Sequence, residues 1–139
     1  MGAINVRKWI VAGLVAGVVM LVIDVATGAT LFSSPMEEAL KARNLDLAAL
    51  EGAVPVFLAM DLLYGLLTAF LYAVIRPHFG AGPKTGLIAG LLVWAPAALN
   101  HVNFGAMGFL PVSLSSMMLT VWLVALLVVG YVVSRLYSD

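Results

Sequence analysis

Polar residues punctuate this chain at wide intervals, and between them lie four apolar runs: Trp9 to Phe32, Val54 to Ile75, Gly86 to Leu110 and Val112 to Leu136. A bilayer core of about 30 Å needs roughly 20 apolar residues at the helical rise of about 1.5 Å per residue. Each run is long enough. The pattern therefore predicts an all-α transmembrane four-helix bundle, built as a single integral membrane domain over residues 1–139. Pro111 alone separates the third and fourth runs, and its missing N–H suits the first turn of a helix, so a tight hairpin is expected there.

Residues 33–53 form the one long polar stretch. It begins Ser34-Pro35-Met36-Glu37, the spacing of a capping box with proline at the first helical position. A short amphipathic helix is expected from Pro35, with Met36, Ala39 and Leu40 on one side and Glu37, Glu38 and Lys41 around the rest. Asp46 is placed to cap a second short turn that ends at Gly52.

Composition sharpens this picture. The chain is 63% hydrophobic and 10% charged, against about 25% charged in an ordinary soluble domain. A soluble fold of this size could not hide so much apolar surface, so the surplus must face a lipid bilayer. Seven basic and seven acidic residues leave no net charge. No basic stripe offers itself to phosphates, and no nucleic-acid partner is expected. The absence of cysteine removes disulfides, thiolate metal sites and cysteine nucleophiles. The first run exceeds the apolar core of a signal peptide and is expected to be an uncleaved span.

Lysine and arginine orient the bundle. Arg7, Lys8, Arg76, Lys84 and Arg135 fall on one side of the predicted spans, against Lys41 and Arg43 on the other. By the positive-inside rule both termini and the loop from Arg76 to Thr85 are cytoplasmic, and the amphipathic helix is extracytoplasmic. Trp9, Tyr72, Tyr131 and Tyr137 are then expected in the cytoplasmic aromatic belt.

The first and third runs echo each other: Ala12-Gly-Leu-Val-Ala-Gly17 is matched by Thr85-Gly-Leu-Ile-Ala-Gly90. Glycines four apart let helices approach closely. Two helical hairpins in parallel orientation would produce this match, with Gly13, Gly17, Gly65, Gly86 and Gly90 on the packing faces.

Asp24, Asp61, Asn100, His101 and Asn103 stand inside segments that otherwise exclude charge. Counted along helices, Asp24 and His101 lie roughly 24 and 22 Å from the starts of their spans. Asp61 lies roughly 9 Å into its own, descending from the other side. All three reach the extracytoplasmic third. Their faces agree too: Gly13, Gly17 and Asp24 share one stripe, Gly86, Gly90, Ala97 and His101 a second, and Asp61, Gly65, Thr68 and Tyr72 a third. Asp24, Asp61, Asn100 and His101 make up the candidate intramembrane polar site, and its two carboxyls and imidazole, on glycine faces, are expected to converge. They would serve as a proton relay, an ion or metal site, or a ligand pocket. The structural alternative is interhelical hydrogen bonding, at about 0.6 kcal/mol per contact. Asn100 and Asn103 fit hydrogen-bonding or surface roles near the helix end.

Several other features change less. Ala97-Ala-Leu-Asn-His101 resembles the small-xxx-His pattern with which light-harvesting polypeptides ligate a chlorophyll magnesium, but any histidine in an alanine-rich helix satisfies it. Pro96 is expected to kink the third span and free the carbonyl near Leu92. Gly82-Pro83-Lys84-Thr85 matches only the end of a phosphate-binding loop, and proline removes a needed N–H. Ser113, Ser115 and Ser116 have no elbow motif around them and read as helix-start serines.

The loop Tyr72-Ala-Val-Ile-Arg-Pro-His-Phe-Gly-Ala-Gly-Pro-Lys-Thr85, with the early Asp24 and an apolar tail, resembles a group of uncharacterised small four-span bacterial integral membrane proteins. That resemblance covers most of the chain. It implies the four-span topology and a bacterial cytoplasmic (inner) membrane, and supplies no functional residues.

From these residues alone, the expectation is a small non-enzymatic subunit or helper that docks within the membrane through its glycine faces, as a homo-oligomer or in a larger membrane complex. A proton- or ion-coupled transporter module using Asp24, Asp61 and His101 is the second reading. A cofactor-binding subunit with His101 as ligand is the third. The sequence requires no cofactor, and no complete nucleophile and base pair can be named for an enzyme.

Overall fold

The computed structural model describes residues 3–138, and it is helical almost throughout, with no strand among them. Asn5 caps the first helix, α1 (Val6–Thr27), by accepting the Lys8 N–H at 3.0 Å. The chain does not pause after α1. A wider π-helical turn, Gly28–Phe32, feeds directly into α2 (Ser33–Lys41). The expected capping box is therefore not used. Ser33 is already helical, its hydroxyl donates to the Ala29 carbonyl at 3.3 Å, and no side chain caps α2. Pro35 supplies a reason: it has no N–H for the turn before it and its ring crowds that turn, which a π bulge relieves. Asp46 does cap the 3-10 helix Leu47–Ala53, by accepting the Ala49 N–H at 3.3 Å.

The next helix, α3 (Val54–Phe79), runs four residues past the expected Ile75, through Pro77. It stops at Gly80, where φ of +85° is a conformation that glycine accepts without strain. The turn is correspondingly short. Gly82 also has positive φ, and α4 (Pro83–Ala106) starts at the next residue. The Thr85 hydroxyl donates back to the Gly80 carbonyl at 2.6 Å and holds the turn closed. Pro96 sits on an exposed face inside α4, which remains one helix. That helix ends earlier than expected, at Ala106, and Gly108 at φ +77° reverses the chain. Pro111 then precedes α5 (Val112–Leu136).

These helices form two hairpins. α1 packs most extensively on α3, and α4 on α5, while the cross pairs α1/α5 and α3/α4 are equally extensive. The glycine stripes lie inside each hairpin. A Cβ on Gly13 would sit 2.8 Å from the Leu66 Cα, and one on Gly65 would collide with the Gly13 carbonyl and the Gly17 amide. The second hairpin repeats the arrangement: a Cβ on Gly130 would strike the Gly86 carbonyl, and one on Gly90 the Leu126 carbonyl. Backbones this close gain dispersion energy along their whole length, which is what drives helix association where lipid competes with every apolar contact.

Buried positions follow the same duplication. Ala12, Ala16 and Met20 of α1 correspond to Thr85, Ala89 and Val93 of α4, and all six are buried. Tyr72 of α3 corresponds to Tyr137 of α5. Both rings lie in the core rather than in the aromatic belt expected of them, because each hydroxyl has an amide to satisfy. Tyr72 accepts the Gly82 N–H and Tyr137 accepts the Asn5 N–H, both at 3.0 Å. Tyr131 is exposed as expected.

The outside of the bundle is apolar. Val11, Val15, Val18 and Val22 on α1, Leu87 and Leu91 on α4, and Val124 on α5 are all exposed. Four segments are long and apolar enough to cross a membrane, within Val6–Lys41, Leu47–Phe79, Pro83–Ala106 and Val112–Leu136. A water-soluble monomer does not carry an exposed apolar belt of this extent. The chain is a multi-pass helical membrane protein.

Candidate functional site

Each carboxyl reaches the interior through a glycine contact. Gly17 of α1 lies against Leu62 and the Asp61 carbonyl of α3, so the two backbones touch at Asp61 itself, two turns before Asp24. Asp61 is buried, with 4% of its surface exposed, and Asp24 is half-buried. The Asp24 carboxyl meets the Asp61 carboxyl and the indole of Trp122 on α5. Tyr64, nearly one turn from Asp61, lies within electrostatic reach of both acids.

His101 joins from α4 through the other side of the same indole. Its ring stands edge-on to Trp122, with centroids 5.2 Å apart and planes inclined at 75°. Trp122 is thus the hub: one helix contributes the indole, and the other three spanning helices contribute Asp24, Asp61 and His101. Among the described residues, two buried side-chain atoms find no hydrogen-bond partner, Asp24 Oδ1 and His101 Nε2. Both belong to this cluster. Buried polar atoms are nearly always paired, so unpaired ones in the same place ask for an explanation.

Asn100, placed with His101 by the sequence, does not join. It is exposed on the outer face of α4, as is Asn103. One residue turns a helix by about 100°, so a neighbour of an inward-facing histidine faces away. His78 is exposed. Of the serines, Ser115 is buried beside Gly105, and Ser116 returns its hydroxyl to the Val112 carbonyl at 2.8 Å.

Trp122 and Tyr64 carry no mark in the sequence as partners of the acids. A signal does exist for Trp122: an indole N–H inside an apolar span needs an acceptor. The other two tryptophans find theirs within their own hairpins, Trp9 at the Leu66 carbonyl (2.8 Å) and Trp94 at the Leu119 carbonyl (3.0 Å).

The cluster is where the internal duplication breaks. In the register that superposes the glycines, Asp24 corresponds to Ala97 and Asp61 to Leu126. The acids therefore belong to the first hairpin, Trp122 and His101 to the second, and the cluster spans the seam between them. No group of three His, Cys, Asp or Glu among the described residues is spaced to hold a metal ion. A lipid-side groove of about 530 Å³ runs along α3 between Trp9, Met60, Leu63, Leu67 and Phe70. Tyr64 forms part of its wall and also lies within electrostatic reach of both acids. Compared with known proteins, the chain matches no family model, no curated protein and no solved structure.

Proposed function

We propose that this chain is a proton- or cation-coupled membrane module whose working groups are Asp24 and Asp61, with Trp122, His101 and Tyr64 around them. The single observation that carries the reading is the contact between two carboxyls from different helices inside the bundle, beside unpaired Asp24 and His101 atoms. Ionisable groups at membrane depth are expensive to keep and mark ion or proton pathways. Two carboxyls in contact titrate as a coupled pair in two steps, and the form that holds one proton between them, or a cation in its place, relieves the repulsion of two adjacent negative charges.

The glycine stripes that a docking helper would offer to a partner are occupied within the chain, so the polar cluster rather than those stripes carries the reading. The module is read as non-enzymatic, since the sequence names no complete nucleophile and base pair. Four helices enclose little pathway, so it works as a homo-oligomer or within a larger membrane complex. The basic residues near the spans favour a bacterial cytoplasmic membrane with both termini inside, which puts the α2 end of the bundle outside.

Infrared difference spectroscopy of the protein in lipid vesicles tests this, by following the protonated-carboxyl band as pH is stepped. Wild type should show one titrating carboxyl that changes in both Asp24→Asn and Asp61→Asn. A band indifferent to both substitutions would sink the proposal.

A further inference from the structure

Above the polar cluster, toward the α2 end, the structure closes with apolar residues drawn from separate elements. Phe32 from the π turn, Ala39 from α2 and Leu114 from α5 form one buried cluster, and Met36, Leu110, Met117, Met118 and Val121 pack against it. Met118 lies one turn beyond Trp122 on the same face of α5, so this cluster sits directly over the indole that joins Asp24 to His101. On the α4 side Gly105 faces the buried Ser115, whose hydroxyl would lie 3.5 Å from a Cβ there. On the α1 side the cover comes from Phe32 of the π turn and Ala39 of α2.

That helix is held differently from the rest of the bundle. It has no glycine contact with any spanning helix. It continues from α1 through the π turn Gly28–Phe32, whose wider hydrogen-bonding ring is a local irregularity of the kind at which helices bend. Beyond α2, the Arg43 guanidinium donates to the carbonyl of Gly108, in the turn between α4 and α5. One end of the segment is thus a hinge on the first hairpin and the other a polar tie to the second.

We infer that α2 is a lid over the Asp24–Asp61–His101 cluster: it pivots on the Gly28–Phe32 turn, is latched by Arg43 on Gly108, and opens to give the acids a route to the α2 side of the membrane. The inference rests on the proton- or cation-coupled reading of that cluster. Opening exposes Leu114, which is 2% exposed when closed, and leaves the glycine-packed hairpins intact.

The chain has no cysteine, so introduced thiols report without background. In Leu114→Cys, a membrane-impermeant maleimide applied from the α2 side should label slowly, and adding Arg43→Ala should speed labelling about threefold, as loss of an exposed charged tie implies. Should Leu114→Cys not fold, Met117→Cys at the half-buried rim of the same cluster replaces it. In Met36→Cys/Met117→Cys, a reversible bifunctional thiol reagent pins α2 to α5. The infrared carboxyl response to a pH jump should then slow at least tenfold and recover on reduction. An unchanged response in the pinned protein, with wild type titrating normally, overturns the lid. Labelling that is insensitive to Arg43→Ala overturns the latch. If Arg43→Ala speeds labelling while no carboxyl titrates in wild type, the moving segment stands and the proton-coupled reading falls.

Discussion

Tyr72 and Tyr137 pack edge to face with ring centroids 5.7 Å apart and planes inclined at 68°. Each accepts, through its hydroxyl, the amide of the residue that precedes the first helix of the opposite hairpin, Gly82 before α4 and Asn5 before α1. The two rings therefore sit where the duplicated halves meet and tie them to each other at the terminal end. At the other end the halves are joined by the cluster of acids, Trp122 and His101, with α2 across the top.

Replacing either tyrosine by phenylalanine keeps the ring contact and removes the acceptor of one part-buried hydrogen bond, at a cost of about 0.5–1.5 kcal/mol. Thermal unfolding in detergent should show both Tyr72→Phe and Tyr137→Phe destabilised by similar amounts. A neutral result in both would mean that the amides find water instead.

Glycine substitutions should divide sharply. Gly65→Ala puts a methyl into the Gly13 and Gly17 backbones, which cannot give as a flexible side chain can. The expected loss is about 3 kcal/mol, at the upper end for overpacking. Gly130→Ala should behave alike. Gly52→Ala and Gly28→Ala meet nothing within 4 Å and should change stability by less than about 1 kcal/mol.

Trp122→Phe removes the indole N–H that faces Asp24 while keeping a ring beside His101. It should cost about 1–2 kcal/mol, and Trp122→Ala, which also leaves a void, about 3–5 kcal/mol. Unfolding midpoints of the two variants in the same detergent measure the difference. Equal losses would mean that only ring packing matters there.

Asp24→Asn and Asp61→Asn are close in shape to the parent side chains, so both should fold within about 1 kcal/mol of wild type. Proton uptake by vesicles carrying either variant should fall by at least tenfold. If one variant keeps full uptake, the two acids do not act as a unit.

Apolar run length fixed the four spans, because a bilayer sets a length that a helix either meets or does not. The echo of Gly13 and Gly17 in Gly86 and Gly90 was legible as a pair of hairpins, since close approach in lipid demands small residues. The inward faces of Asp61, Gly65, Thr68 and Tyr72 followed from helical period alone, and all four are buried.

Other features needed the folded chain. Trp122 could be read only as one more apolar residue until α5 was docked against α1 and α4, since what an indole touches depends on helix rotation and depth together. Asn100 looked like a member of the cluster because depth along α4 was readable while the exact rotation was not. The continuous passage from α1 to α2 overrode a good local capping signal: Phe32 and Ala39 pack over Leu114, and burying one large apolar side chain is worth about 1.5–3 kcal/mol against about 1 kcal/mol for a serine cap. Local rules set where helices can exist. Which side chains meet at the seam of the two hairpins is decided by the packing of all four helices at once, and no local pattern encodes that sum.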